Sequence, residues 1–152
     1  NLPLRYAWKD IEPQLRALAD SPGSPYDGVA LEYVNPITGG PTLATLSCWI
    51  QLLRPGERTK KHRHTSSAVY FVAGGEGTTI VGDKAMDWTK NDCFAVPNWA
   101  WHEHINRSKT EEALLFSVND TPVLNAFGLY REEPENSLHT TATPAVPATG
   151  MK

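Results

Sequence analysis

The chain has 152 residues, of which 40% are hydrophobic and 20% charged, and a formal net charge of −3. That length suits one domain whose core needs no disulfide or metal staple. It carries one basic run, Arg58-Thr59-Lys60-Lys61-His62-Arg63, too small for a nucleic-acid surface, and no apolar run long enough to span a bilayer as a helix. No nucleic-acid or membrane partner is therefore expected.

The two cysteines, Cys48 and Cys93, fall in apolar, strand-like runs and read as buried free thiols acting as small core hydrophobes in a reducing compartment. No signal-peptide pattern opens the chain, which begins at Asn1 rather than Met. The expectation is a cytoplasmic protein, or a piece processed out of a longer one.

In chain order, residues 10–19 read as a short helix. Asp10 is its N-cap, Pro13 falls in the first turn, and Ile11, Leu15 and Leu18 form its apolar face. Ser21-Pro22-Gly23-Ser24-Pro25 stops it. Residues 29–34 are a first strand, and 35–41 a loop rich in turn formers. Short β runs follow at 43–53, 67–73, 77–81, 93–97, 100–105 and 112–118, separated by Gly, Pro, Asn and Asp. This spacing predicts an all-β sandwich or barrel, and the lack of βαβ alternation disfavours a doubly wound sheet. Residues 123–131 fit either a last strand or a helical turn. From Pro134 onward Thr, Ala and Pro dominate, which predicts a disordered or extended tail in which His139 is an ordinary surface histidine.

Four of the five histidines occur in two copies of one pattern, His62-Arg63-His64 and His102-Glu103-His104. On a strand, H-x-H puts both imidazoles on one face. Two such strands side by side could aim up to four imidazoles at one point, and imidazole is the commonest ligand for iron, zinc, copper and nickel. The alternative is a set of hydrogen-bonded core or surface histidines. Three neighbours favour the metal: a Pro55-Gly56 turn before the first pair, an apolar strand ending at Pro97 before the second, and Asn106 just after it.

Gly56, five further residues, His62-Arg63-His64 and then Gly75 resemble the first cupin motif; residues 92–106 resemble the second. The resemblance implies a double-stranded β-helix, a jelly-roll barrel, over residues 28–131, preceded by a helical lead-in (1–27) and followed by the tail (132–152). Cupins usually add a glutamate to the metal's ligands, but here Ala68 stands at that place. His-Arg-His-Thr, Pro-x-Trp-x-Trp-His-x-His-x-Asn and Asn35-Pro36-Ile37-Thr38-Gly39-Gly40 together resemble the gentisate 1,2-dioxygenase group, which includes salicylate and 1-hydroxy-2-naphthoate dioxygenases.

That resemblance implies an Fe(II) site on His62, His64 and His102 without a carboxylate, with zinc or nickel as alternative occupants. His104 would orient His102 or face the substrate, and Gln51 would line the metal pocket. Trp49, Trp99 and Trp101 would line an aromatic cavity, unless they serve core or interface. Tyr70 stands near where the group's catalytic cupin has an arginine, and Ser117 near where it has an acid. Arg63 alternates away from the histidine face. The implied partners are a hydroxylated aromatic acid and O2. No nucleotide cofactor is expected, since Gly74-Gly75-Glu76-Gly77 lies between strands.

Members of the group hold two cupins, and this chain most resembles the second. Its expected roles are therefore ring cleavage, or structural support of a companion cupin half, or binding of a small molecule at a different metal. Its many tryptophans predict a homo-oligomer.

Overall fold

The structure, a computed structural model, describes residues 5–135. Helix α1 (Trp8–Ala19) leads into strands β1 (Val29–Tyr33), β2 (Ser47–Leu53), β3 (His62–His64), β4 (Ala68–Gly74), β5 (Glu76–Val81), β6 (Lys84–Thr89), β7 (Cys93–Val96), β8 (His102–Asn106) and β9 (Ala113–Asn119). Helix α2 (Thr121–Ala126) and strand β10 (Glu132–Pro134) follow. The strands form two five-stranded sheets, ordered β1-β2-β9-β4-β7 and β10-β3-β8-β5-β6. Every pairing is antiparallel.

Strand β2 is apolar nearly throughout because both its faces are covered. Leu53 packs inward with Tyr70, Val72, Val96 and Leu115 of its own sheet and Trp88 of the other. Ile50 and Leu52 point outward, where Ile11 and Leu15 of α1 close over them and Val29. Burying Ile11 and Leu15 stabilises the lid by about 2 kcal/mol each. Inward residues of β2 beyond Leu53 are polar or amphipathic (Gln51, Trp49, Ser47), and there the interior opens into a cavity.

The structure moves several sequence expectations. The helix begins at Trp8 after an Ala7 cap, so Asp10 lies in its first turn, favoured there by the helix dipole rather than by capping. Pro13 is consequently inside the helix, and Leu18 at its outer end is 40% exposed, leaving Ile11 and Leu15 as the apolar face. The run from 43 is strand only from Ser47. Strand β6 was not foreseen: it pairs only with β5, and of its residues Trp88 alone is buried, so it shows no apolar alternation. Residues 121–126 are helical.

Neither cysteine is a core residue. Cys93 pairs with Phe71 on the outward face and is exposed, and Cys48 is half-buried on the outward face of β2; both thiols are free. Strand β10 lies just beyond the expected boundary at 131 and pairs with β3. His139 lies outside the described residues. No helix among the described residues is long and apolar enough to cross a membrane.

Gly77 is where β5 and its two neighbours in the same sheet, β6 and β8, leave no room. A Cβ there would stand 2.3 Å from the Ile105 carbonyl oxygen and 2.3 Å from the Trp88 ring. Gly77→Ala should cost about 3 kcal/mol in chemical denaturation, the upper part of the overpacking range. Gly82→Ala, with open space around the Cβ but φ of +61°, should cost only about 1 kcal/mol.

Candidate metal centre

Strand β3 presents His62 and His64 to the interior, and antiparallel β8 lies beside it with His102 in register with His62. The three rings meet: centroids are 4.3 Å apart for His62–His102, 4.8 Å for His64–His102 and 5.5 Å for His62–His64. One ring nitrogen of each lies within 4.8 Å of the other two. The expected ligand set is therefore the one the fold brings together.

Each imidazole is oriented in the same way. His64 Nδ1 lies 2.8 Å from the Ser66 carbonyl oxygen, His102 Nδ1 2.9 Å from that of Ala100, and His62 Nδ1, more loosely, 3.4 Å from that of Lys60. A carbonyl only accepts, which favours the proton on Nδ1 and the lone pair on Nε2; at His64 the Ser66 hydroxyl also lies 2.9 Å from Nδ1 and can accept as well. His102 Nε2 is buried with no protein partner. Burial lowers the His64 pKa and takes that of His102 down to about 3; neighbouring histidine charge pushes both the same way. Neutral imidazoles with a free, desolvated Nε2 are the form that binds a divalent transition metal, and a buried lone pair without a donor otherwise carries an unreturned desolvation cost. The donor set thus fits a metal ion.

His104 differs. Trp88 Nε1–H donates to the Thr79 hydroxyl at 2.9 Å, and that hydroxyl lies 2.8 Å from His104 Nδ1. With the indole on one lone pair of the threonine oxygen, the hydroxyl can give its own proton to Nδ1, an arrangement that leaves the histidine's proton on Nε2. His104 is then an N–H donor rather than a ligand. Its Nε2 is buried without a protein partner, and burial drives its pKa far down. It makes no hydrogen bond to His102, whose ring lies 5.9 Å away, so the expected orienting role is not what it does; it packs against Tyr70 at 4.9 Å. Asn106, read with the metal motif, is a brace: its Nδ2 reaches the carbonyls of Leu53, Arg54 and Glu111 at 2.8–3.1 Å.

A cavity of about 390 Å³ opens beside His62 and His64. Trp49, Gln51, Tyr70 and Ser117, the expected pocket residues, line it, as does Ala68. Tyr70 and Ser117 are cross-strand partners, and burial pushes the Tyr70 phenol upward.

Trp99 and Trp101 are corrected: they are not cavity residues. They flank the Arg63 guanidinium, at 4.2 and 4.5 Å, on the side of β3 opposite the histidines. The period of two that sends His62 and His64 inward sends Arg63 and its stacking partners outward. Sequence reading missed Asp27, Glu32, Tyr130 and Glu132, which also line the cavity. Glu32 could have been found: in Val29–Tyr33, alternation puts Ala30 and Glu32 opposite the apolar face that meets α1. Burial raises the Glu32 carboxyl.

These shifts set the pH response of the metal-free fold. His64, His102 and His104 have depressed pKa values when folded, so the unfolded chain binds more protons below the ordinary histidine value of 6.5. Stability should therefore fall as pH drops from 6.5 toward 3. The raised Glu32 works the other way, but it is one group against three. Urea midpoints measured in EDTA at pH 7.5, 6 and 5 should decline in that order.

Comparison with known proteins agrees with this geometry. A family model described as a cupin domain matches residues 49–119. The chain is 45% identical over 150 residues to the 1-hydroxy-2-naphthoate 1,2-dioxygenase of Nocardioides sp. (strain KP7), covering 99% of this chain and 39% of that protein. It is 52% identical over 132 residues to the 5-aminosalicylate 1,2-dioxygenase of Comamonas sp., covering 86% and 35%. The solved salicylate 1,2-dioxygenase from Pseudaminobacter salicylatoxidans superimposes with a TM-score of 0.77 at 29% identity, over 86% of this chain and 38% of that one. The chain spans well under half the length of each. Its fold is that of a cupin, and over most of its length it is similar to part of the gentisate, salicylate and hydroxynaphthoate 1,2-dioxygenases.

Proposed function

We propose that this chain is a metal-bearing cupin of a ring-cleaving dioxygenase, with iron(II) on His62, His64 and His102 and a hydroxylated aromatic ring in the adjoining cavity. The observation that carries this reading is the convergence of three imidazoles, each with Nδ1 at a carbonyl, beside a cavity of about 390 Å³. Its relatives are named for oxidative chemistry on hydroxylated aromatics. Iron so held by three side chains would keep positions for substrate oxygen and for O2, and the substrate's own electrons would make nicotinamide or flavin unnecessary.

The protein's part is to hold and to shield. Trp49 and Tyr70 supply ring-sized apolar walls, and the hydroxyls of Tyr70 and Ser117 offer neutral hydrogen-bond partners. Buried His104, as an Nε2–H donor, would stabilise negative charge developing on an oxygen near the metal. Because the relatives are much longer, we take the working enzyme to include a companion cupin half. We also take it to assemble through outward apolar residues such as Val69 and Phe71, 55% and 39% exposed, and to work in the cytoplasm, where free thiols persist.

A second reading, a supporting cupin that binds metal without turning over aromatic acids, is favoured by one feature: among the described residues no lysine or arginine lines the cavity.

Metal analysis of protein purified without oxygen should find close to one iron per chain, or zinc where iron has been lost. His62→Ala and His102→Ala should each reduce this to under about a tenth, since two imidazoles hold a divalent ion poorly. His104→Ala should keep the metal. Undiminished metal in the first two variants would refute the ligand assignment. Oxygen uptake with gentisate or 2-aminophenol, abolished by His102→Ala, separates a catalytic cupin from a supporting one.

A further inference from the structure

The charge and hydrogen-bond balance of the cavity is one-sided. Three carboxylates line it from three separate segments: Asp27 before β1, Glu32 on β1 and Glu132 on β10. Among the described residues no lysine or arginine joins them. A divalent ion on the three histidines would bring two positive charges to a cavity lined by three carboxyl groups.

Three of the donors around the cavity are committed within the protein. Gln51 Nε2 donates to Asp27 Oδ1 at 3.4 Å, Trp49 Nε1 to Ser47 Oγ at 3.3 Å, and Tyr130 Oη to Glu132 Oε2 at 3.1 Å. Acceptors are left over. Gln51 is only 5% exposed, lines the cavity, and its Oε1 is buried with no partner. A buried amide oxygen in that state calls for a ligand N–H or O–H. The hydroxyls of Tyr70 and Ser117 are neutral and suit a ligand of either kind.

We propose that this cavity binds a phenolic amine, its ring hydroxyl toward the histidines and its ammonium among the carboxylates and Gln51 Oε1, and that it discriminates against the corresponding aromatic acid. This rests on reading the cavity as a ligand site beside a metal centre. An ammonium gains charge-assisted hydrogen bonds from carboxylates already present. A ligand carboxylate would lose its hydration beside like charges, with no lysine or arginine among the described residues to pair with, a large penalty in a partly dry site. Acid selectivity in the longer relatives therefore does not transfer to this cupin.

The test compares tyramine with 4-hydroxyphenylacetate, which share a phenol ring and differ in the charge of the side chain. Isothermal titration calorimetry on the whole chain, once in EDTA and once loaded with Co2+, gives both dissociation constants in both states. Tyramine should bind at least about tenfold more tightly in each state. Glu32→Gln and Glu132→Gln should each narrow that gap about threefold or more, and Gln51→Leu should weaken tyramine while leaving the acid unchanged. Equal or tighter binding of the acid to the metal-free chain, or no binding of tyramine up to about 10 mM, overturns the proposal. The metal reading fails separately, by absence of the cobalt d–d absorption, and the metal-free comparison decides the ligand class regardless.

Discussion

The site depends on holding one very short strand in register. β3 has only three residues, and a single pair, His62 with His102, joins it to β8. So short a strand cannot hold its own position by ladder hydrogen bonds. It is fixed from outside. β10 pairs along its other edge, Arg63 reaches Glu133 of that strand at 2.7 Å, and Lys61 reaches Glu135 at 2.8 Å. The Arg63 guanidinium is also clamped over Trp99 and Trp101, and the Trp99 amide donates to the His64 carbonyl at 2.7 Å. An exposed ion pair is worth little alone, but a planar guanidinium held by two indoles and a carboxylate is a preorganised anchor. The residue between the two histidines thus positions the residues on either side of it.

The same alternation organises the first sheet. β2 sends Leu53, Gln51, Trp49 and Ser47 inward and Leu52 and Ile50 out beneath α1. Toward Leu53 the interior is packed shut by Trp88 and Val72; toward Ser47 polar side chains leave space. A single strand thereby divides the barrel into a sealed end, which holds it together, and an open end, which can admit a ligand. His104 lies on the sealed side: Trp88, part of that packing, grips Thr79 and through it sets His104's proton. Core packing and the chemical character of a polar site residue are joined by one hydroxyl.

What could be read from the sequence follows from this geometry. The H-x-H pairs were legible because period-two alternation converts spacing directly into direction, and the barrel because its strands are punctuated by turn formers. Trp99 and Trp101 were misplaced by treating aromatic character as a sign of a cavity, although Trp101 shares its parity with outward-facing Glu103, not with His102. β6 was invisible because it is an edge strand with one buried residue, and β10 because it owes its existence to β3 rather than to any local propensity. Asp27 and Glu132 reach the cavity from segments 105 residues apart in the chain, and only the closed fold brings them together.

Placing carboxylates around a site of neutral imidazoles has a physical consequence for how metal and ligand share it. Burial keeps His64 and His102 uncharged, so a cation entering among them meets no repulsion. Asp27, Glu32 and Glu132 supply the negative potential that draws it in, strengthened by the low-dielectric walls around the cavity. The same potential acts on whatever follows the metal. In a cavity with a lysine or arginine, metal and organic anion would arrive by separate attractions; here one field favours the ion and opposes an anionic ligand. A neutral Tyr70, and a carboxyl at Glu32 on the inward face of β1, therefore bear on more than one contact. They help to make negative the field that an arriving ring must cross, independently of the three imidazoles that would hold the metal.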